Sequence, residues 1–259
     1  MKSNYWEQRE AIFNRQVRVA ENKIADELRR VEAKTASDVE ALYSHLTSGT
    51  NVIASDIYAY NRSYKLLETL REDLLATANI EIKAIEKSMR DLYITNSQLV
   101  GDEIGYNFTM NEERIIKAIK SQWVGDGKIY SDRIWGNTSM LAERVQNCLV
   151  DALVRGDSVD TITGQIEREF NSSWNSARRL VRTELSYVQN KSAMDMYEEA
   201  GYTYYQFFNA GDDDVCAGEC EELNGQIFAM SEAEPGVNFP PIHPNCRCGI
   251  LAADNPKEI

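Results

Sequence analysis

The sequence predicts an α+β fold that is mostly α. Three observations carry this. Apolar residues recur by threes and fours as far as about residue 200. No proline stands before Pro235. Beyond Gly201 the pattern changes to short alternating runs and turns, with all five prolines and four of the five cysteines. The expected architecture is an elongated N-terminal helical hairpin, then a C-terminal helical domain with a small β-sheet and a Cys/His knuckle. The expected domains are a long-helix arm at 1–100 and a second domain at 101–259, with the knuckle module at 202–253.

Each element follows from a local pattern. Residues 4–46 read as one helix through Val17, Ala20, Ile24, Leu28, Val31, Val39, Leu42 and Leu46, with one break at Thr35. Ser48-Gly49-Thr50-Asn51 supplies a turn and an N-cap. Residues 52–98 form a second long helix through Ile53, Ile57, Leu67, Leu74, Ile85, Met89 and Leu92. Two such helices make an αα-hairpin. It is either an arm that docks on a partner or two helices of a larger bundle. Residues 101–138, with five glycines, read as irregular around a short helix at 111–123. Helix returns at 138–155 and breaks at Gly156-Asp157-Ser158. A short helix at 160–170 and a longer one at 173–200 follow, the latter ended by Gly201. Tyr202–Phe208 alternates and is aromatic, which predicts a strand. Asn224-Gly225 signals a turn before a strand at 226–230, and residues 247–252 supply a third.

Composition narrows the function. Apolar residues make up 43% and charged residues 27%, enough for a core in a soluble chain. No run of about 18 apolar residues appears, so no transmembrane helix is expected. The polar start, Met1-Lys-Ser-Asn-Tyr-Trp-Glu7, lacks the apolar core of a signal peptide, so reduced cysteines are expected. Net charge is −13. Residues 210–259 hold ten acids against Arg247 and Lys257, whereas residues 1–40 balance. That acidity disfavours duplex DNA on the C-terminal module.

The chemistry-bearing residues concentrate late in the chain. Cys216 and Cys220 are followed by His243, Cys246 and Cys248. Five soft donors stand for the four places of a tetrahedral zinc site. Pro240, Pro241 and Pro244 stiffen the second loop. A structural metal, disulfides and packed free thiols all remain open, as does the choice of four ligands among the five. A surplus of donors closes a site, which suits structure better than catalysis. Cys148 reads as a core residue and His45 as a solvated one. Asp212-Asp213-Asp214 reads as an acidic loop. No hydrolase constellation and no phosphate loop stand out, so neither a catalytic residue nor a small-molecule substrate is expected. Arg178, Arg179, Arg182, Thr183, Glu184 and Asn190 share one helix. They form either a network that binds a partner or orders the C-terminal module, or ordinary ion pairs.

Arg182-Thr183-Glu184, the aromatic strand, Cys216-x3-Cys220, Leu223-Asn-Gly225 and Pro240-Pro-x-His243-Pro-x-Cys246-Arg247-Cys248 together resemble the phage head morphogenesis, or minor head protein, family with its MuF domain. The resemblance runs from about Gly127 to Ala253. Tyr5-Trp6-x-x-Arg9 also resembles the start of these proteins. It implies a virion component without enzymatic activity, in the capsid interior near the portal vertex, present in the host cytoplasm during assembly. The implied partner is the portal protein, with scaffolding or major capsid protein as further partners. The implied roles are head morphogenesis, DNA packaging or DNA delivery. Some relatives carry fused toxin domains, an extension not expected here with eleven residues after Cys248. The alternative reading is a metal-dependent enzyme or toxin-like effector using the Cys/His site.

Overall fold

The computed structural model describes residues 4–47, 52–209 and 218–255, without the side chains of 45–47, 52–63 and 153. The Ser48–Asn51 turn, Asp212–Asp214 and Cys216 lie outside the described residues. Helices α1 (Tyr5–Thr47) and α2 (Val52–Ile104) follow the periodicity, α2 running six residues beyond its expected end. Thr35, the expected break in α1, is buried inside the helix, where its hydroxyl donates to Val31 O at 2.7 Å. That back-bond satisfies the polar group without interrupting the helix. Helix α3 (Glu112–Ile119) starts at Asn111, whose side chain accepts from Arg114 N.

Two boundaries differ from expectation. Helix α4 spans Tyr130–Arg155 and starts eight residues early. Tyr130, Ile134, Leu141, Val145, Leu149 and Ala152 are all buried at helical spacing, which outweighs the weak propensity of Gly136. Helix α5 is continuous over Val159–Glu199, where two helices were expected. Asn171, Ser172 and Ser173 are mediocre helix formers, but no Gly or Pro interrupts them, and Phe170 and Ala177 are buried on either side. Gly201 ends α5 at φ 90°, with Tyr202 N donating to Tyr197 O and Gly201 N to Glu198 O. The Tyr197 and Tyr202 rings, 6.2 Å apart, complete a Schellman cap.

Three strands form an antiparallel sheet in the order β2-β1-β3, with β1 at Tyr204–Phe208, β2 at Ile227–Ala229 and β3 at Gly249–Ala253. The alternation in β1 turns Tyr205 and Phe207 inward. Asn224-Gly225 does not close a simple hairpin. A short helix, α6 (Glu219–Leu223), precedes it, and Gly225 N donates to Phe207 O.

The chain divides into two compact units that interleave along the sequence, rather than parting at residue 100. Unit 1 takes 1–21, 84–130 and 178–259; unit 2 takes 22–83 and 131–177. Unit 2 consists of four helical segments, from α1, α2, α4 and α5. Its core includes Ile24, Leu28, Leu74, Val145, Ile166 and Phe170. Lys34 pairs with Asp73 and Arg144 with Glu169 across its helices. Residues 22–83 thus share a compact unit with 131–177, which accords with the bundle alternative.

Unit 1 is built on the C-terminal half of α5. From Glu184 to Tyr197 every residue but Lys191 is buried. A helix buried on all sides is the core of its unit. Leu185, Val188, Met194 and Tyr197 fill it together with Phe13, Leu92, Val100, Ile115 and Ile250.

Unit 2 carries a buried acid, Glu81, only 6% exposed, and burial alone pushes its carboxyl up to about 7 from an ordinary 4.5. Between those pH values the folded chain keeps a proton that the unfolded chain has released. Stability therefore falls as pH rises through this window and stays lowered above it. Glu81→Gln should flatten the dependence and stabilise the protein above pH 7 by on the order of 3 kcal/mol, as read from urea unfolding between pH 4.5 and 8.

Candidate functional site: a buried cysteine cluster

Three of the five predicted donors come together. The Sγ atoms of Cys220, Cys246 and Cys248 lie within 4.8 Å of one another, and all three residues are buried. Cys220 and Cys246 are 4.0 Å apart, and none of the described cysteines forms a disulfide. Their placement follows from local structure. Cys220 is carried by α6. In Cys246-Arg247-Cys248 the alternation of an extended chain turns both thiols inward and Arg247 outward. Asn245 takes φ 63° immediately before this run, and Cys246 N donates to His243 O. Phe207 of β1 forms the floor, with Leu223, Phe228 and Ile242 packed around it.

The other predicted residues stand elsewhere. His243 is half-buried, its Nδ1 2.9 Å from Pro244 O, and it is not a member of the cysteine group. Cys148 is half-buried in α4, where burial pushes its thiol up. His45 lies in α1.

The thiols are electrostatically coupled. The hydrogen bond from Cys248 pulls the Cys246 thiol down, and the same bond, with burial, pushes the Cys248 thiol up. Three convergent thiols of this kind are soft donors able to hold a thiophilic metal ion.

Arg182, Thr183 and Glu184 each tie a different segment to α5. Arg182 Nε donates to Glu21 of α1 at 2.8 Å, with Arg178 3.4 Å from the same carboxylate. Thr183 Oγ1 accepts the N–H of Asn245 at 3.1 Å and donates to Arg179 O. Glu184 accepts from Trp123 Nε1 at 2.9 Å, and the Trp123 ring stacks on Tyr187. Asn190 donates to Cys248 O at 3.1 Å. Thr183 and Asn190 therefore hold the two ends of the Cys246–Cys248 run.

These residues fall within a known family pattern. Residues 143–251 match the family model described as Phage Mu protein F like protein. This segment is similar to the Phage Mu protein F like family. The expected resemblance is borne out over a narrower span, which still contains Arg182-Thr183-Glu184 and the three clustered cysteines. No curated protein and no solved structure matches the chain significantly. Among the described residues no helix is long and apolar enough to cross a membrane.

Sequence reasoning missed one element of this segment. Helix α6 has five residues, too few for periodicity to register. Arg9, named in the sequence only as part of Tyr5-Trp6-x-x-Arg9, lies outside this segment, and its partner Asn190, 181 positions away, could not be read locally.

Thr183→Val removes the acceptor for Asn245 N–H while keeping the side-chain shape. It should lower stability by about 1 kcal/mol and speed alkylation of Cys246 by iodoacetamide. Denaturation curves and peptide mapping of the alkylated thiol check both.

Proposed function

We propose that this chain is a non-enzymatic minor head protein of a tailed phage, associated with the portal protein inside the capsid. It acts there in head morphogenesis, DNA packaging or DNA delivery. The observation that carries the reading is the similarity of 143–251 to the Phage Mu protein F like family. Scaffolding or major capsid protein are secondary partners. Within this reading the cysteine cluster is a structural zinc site. A tetrahedral zinc with bonds of about 2.3 Å places its sulfurs about 3.8 Å apart, and Cys220 and Cys246 already stand at 4.0 Å. Cys246 and Cys248 on one strand run and Cys220 on α6 would hold the ion, with Cys216 or His243 as the fourth ligand. The metal would then clamp α6 to the start of β3.

Two measurements test this. Purified full-length protein should contain about one zinc per chain. Cys246→Ser should remove the zinc and lower the thermal midpoint by about 5–15 °C, given about 2–4 °C per kcal/mol and a loss of several kcal/mol. Metal-free protein with unchanged stability on that substitution rejects the zinc site.

For the partner, co-expression with the portal protein of the same phage should yield a complex that survives size exclusion. The long helices expose Val19, Tyr64 and Leu75 in the 1–100 region. Changing all three to Asp in the full chain should abolish co-purification and leave the circular dichroism spectrum unchanged. A variant that still binds portal as the parent does rejects the assignment of the contact to these helices.

A further inference from the structure

Cys220 and Cys246 are 26 positions apart in sequence, yet their sulfurs stand 4.0 Å from each other. One is carried by α6 and the other by the run that leads into β3, and each is only 1% exposed. No disulfide joins the described cysteines. A disulfide holds its sulfurs at about 2.05 Å. The two thiols face each other from separate elements and need approach by only about 2 Å to be joined.

Cys248 lies within 4.8 Å of both, but its relation to Cys246 is different. These two share one extended run, where a rise of about 3.3 Å per residue sets their Cα atoms about 6.6 Å apart. That is close to the upper limit of about 6.8 Å for a bridged pair, so bridging them requires the run to contract. The run is held at both ends. Asn245 N–H donates to Thr183 Oγ1, and Cys248 O accepts from Asn190 Nδ2. Gly249, the next residue, is paired with Phe208 of β1. The partner that geometry leaves for Cys246 is Cys220, on a helix of five residues.

We propose that Cys220 and Cys246 are an oxidisable pair, which a peroxide converts to a disulfide that fastens α6 to the run before β3 without a metal, with Cys248 left as a thiol. Hydrogen peroxide suits buried sulfurs because it is small and carries no charge to desolvate. One sulfur attacks a peroxide oxygen, the O–O bond breaks, and water leaves behind a sulfenic acid. The second sulfur attacks the first, the S–S bond forms, the S–O bond breaks, and a second water leaves. Two thiols are oxidised, one peroxide is reduced, and both thiol protons end in water. The inference concerns the metal-free thiols and goes beyond the zinc reading above.

The test uses the full chain, stripped of metal by a chelator in reducing buffer and then treated with hydrogen peroxide. Thiol counting in denaturant should find two of the five thiols gone, restored by dithiothreitol. Non-reducing peptide mapping should show Cys220 joined to Cys246. The thermal midpoint should rise by about 5–10 °C over the reduced metal-free protein. Cys248→Ser should form the same bond, and Cys220→Ser should form no bond between Cys246 and Cys248. Where Cys248→Ser fails to fold, mapping of the parent decides. A main product that joins Cys246 to Cys248, or that takes in Cys216, overturns the inference. So does oxidation that stops at sulfenic or sulfinic acid, a cross-link that leaves the midpoint unmoved, or a metal-free protein that has lost its fold. Zinc content before chelation decides the zinc reading separately.

Discussion

Unit 1 depends on one constraint: the polar groups along the buried half of α5 must find partners without water. Glu184, Gln189, Asn190, Ser192 and Asp195 are all buried. Each buried polar group left unpaired costs about 1–3 kcal/mol, so this helix can be central only if its neighbours are placed to answer it. They are. Trp123 answers Glu184, Asn96 answers Gln189 and Ser192, Arg9 answers Asn190, and Tyr93 with Lys191 answers Asp195. Gln189 also donates to Arg9 O, and Asn190 to Cys248 O. A single helix thereby fixes the positions of α1, α2, the loop after α3 and the start of β3. An apolar helix of the same length would tolerate slippage along its axis, whereas hydrogen bonds at fixed spacing do not.

This explains how much of the fold was legible. Periodicity revealed α1 and α2 because their buried stripes repeat over many turns. It also located the first strand, because buried Tyr205 and Phe207 alternate with half-buried neighbours. It misplaced the start of α4 and split α5, since glycine and serine lower local propensity without deciding against burial of Tyr130, Ile134 and Phe170. The sequence leaves the polar face of α5 open between a network that binds a partner or orders the C-terminal module and ordinary ion pairs, and the contacts of Thr183 with Asn245 and of Asn190 with Cys248 fit the ordering role. Arg182, Thr183 and Glu184 carry the same chemistry whether they face water or neighbouring segments, and only the fold shows that Glu21, Asn245 and Trp123 meet them.

The candidate site was half legible for a similar reason. Cys246 and Cys248 are two apart, so an extended chain had to present both thiols on one side. Cys220 could be grouped with them only by supposing that the intervening turns fold back, and the structure does so by laying α6 against Phe207. His243, close in sequence to Cys246, is turned toward its own loop. Sequence spacing thus names the donors, while tertiary packing decides that Cys220 joins the Cys246 and Cys248 pair.

The interleaving of the two units limits what truncation can teach. Residues 1–100 look separable as an N-terminal region, yet Tyr5, Phe13, Leu92 and Tyr93 lie in the core of unit 1, and Arg9 and Asn96 satisfy buried groups on α5. Cutting at residue 100 would orphan Asn190 and Ser192 and strip one side of the helix that holds the cysteine run. Loss of any activity in such a fragment would report a damaged core as readily as a missing contact surface. The role of the long helices is therefore separable from that of the Mu F-like segment only by changes that leave the buried network intact, at exposed positions such as Val19 and Leu75.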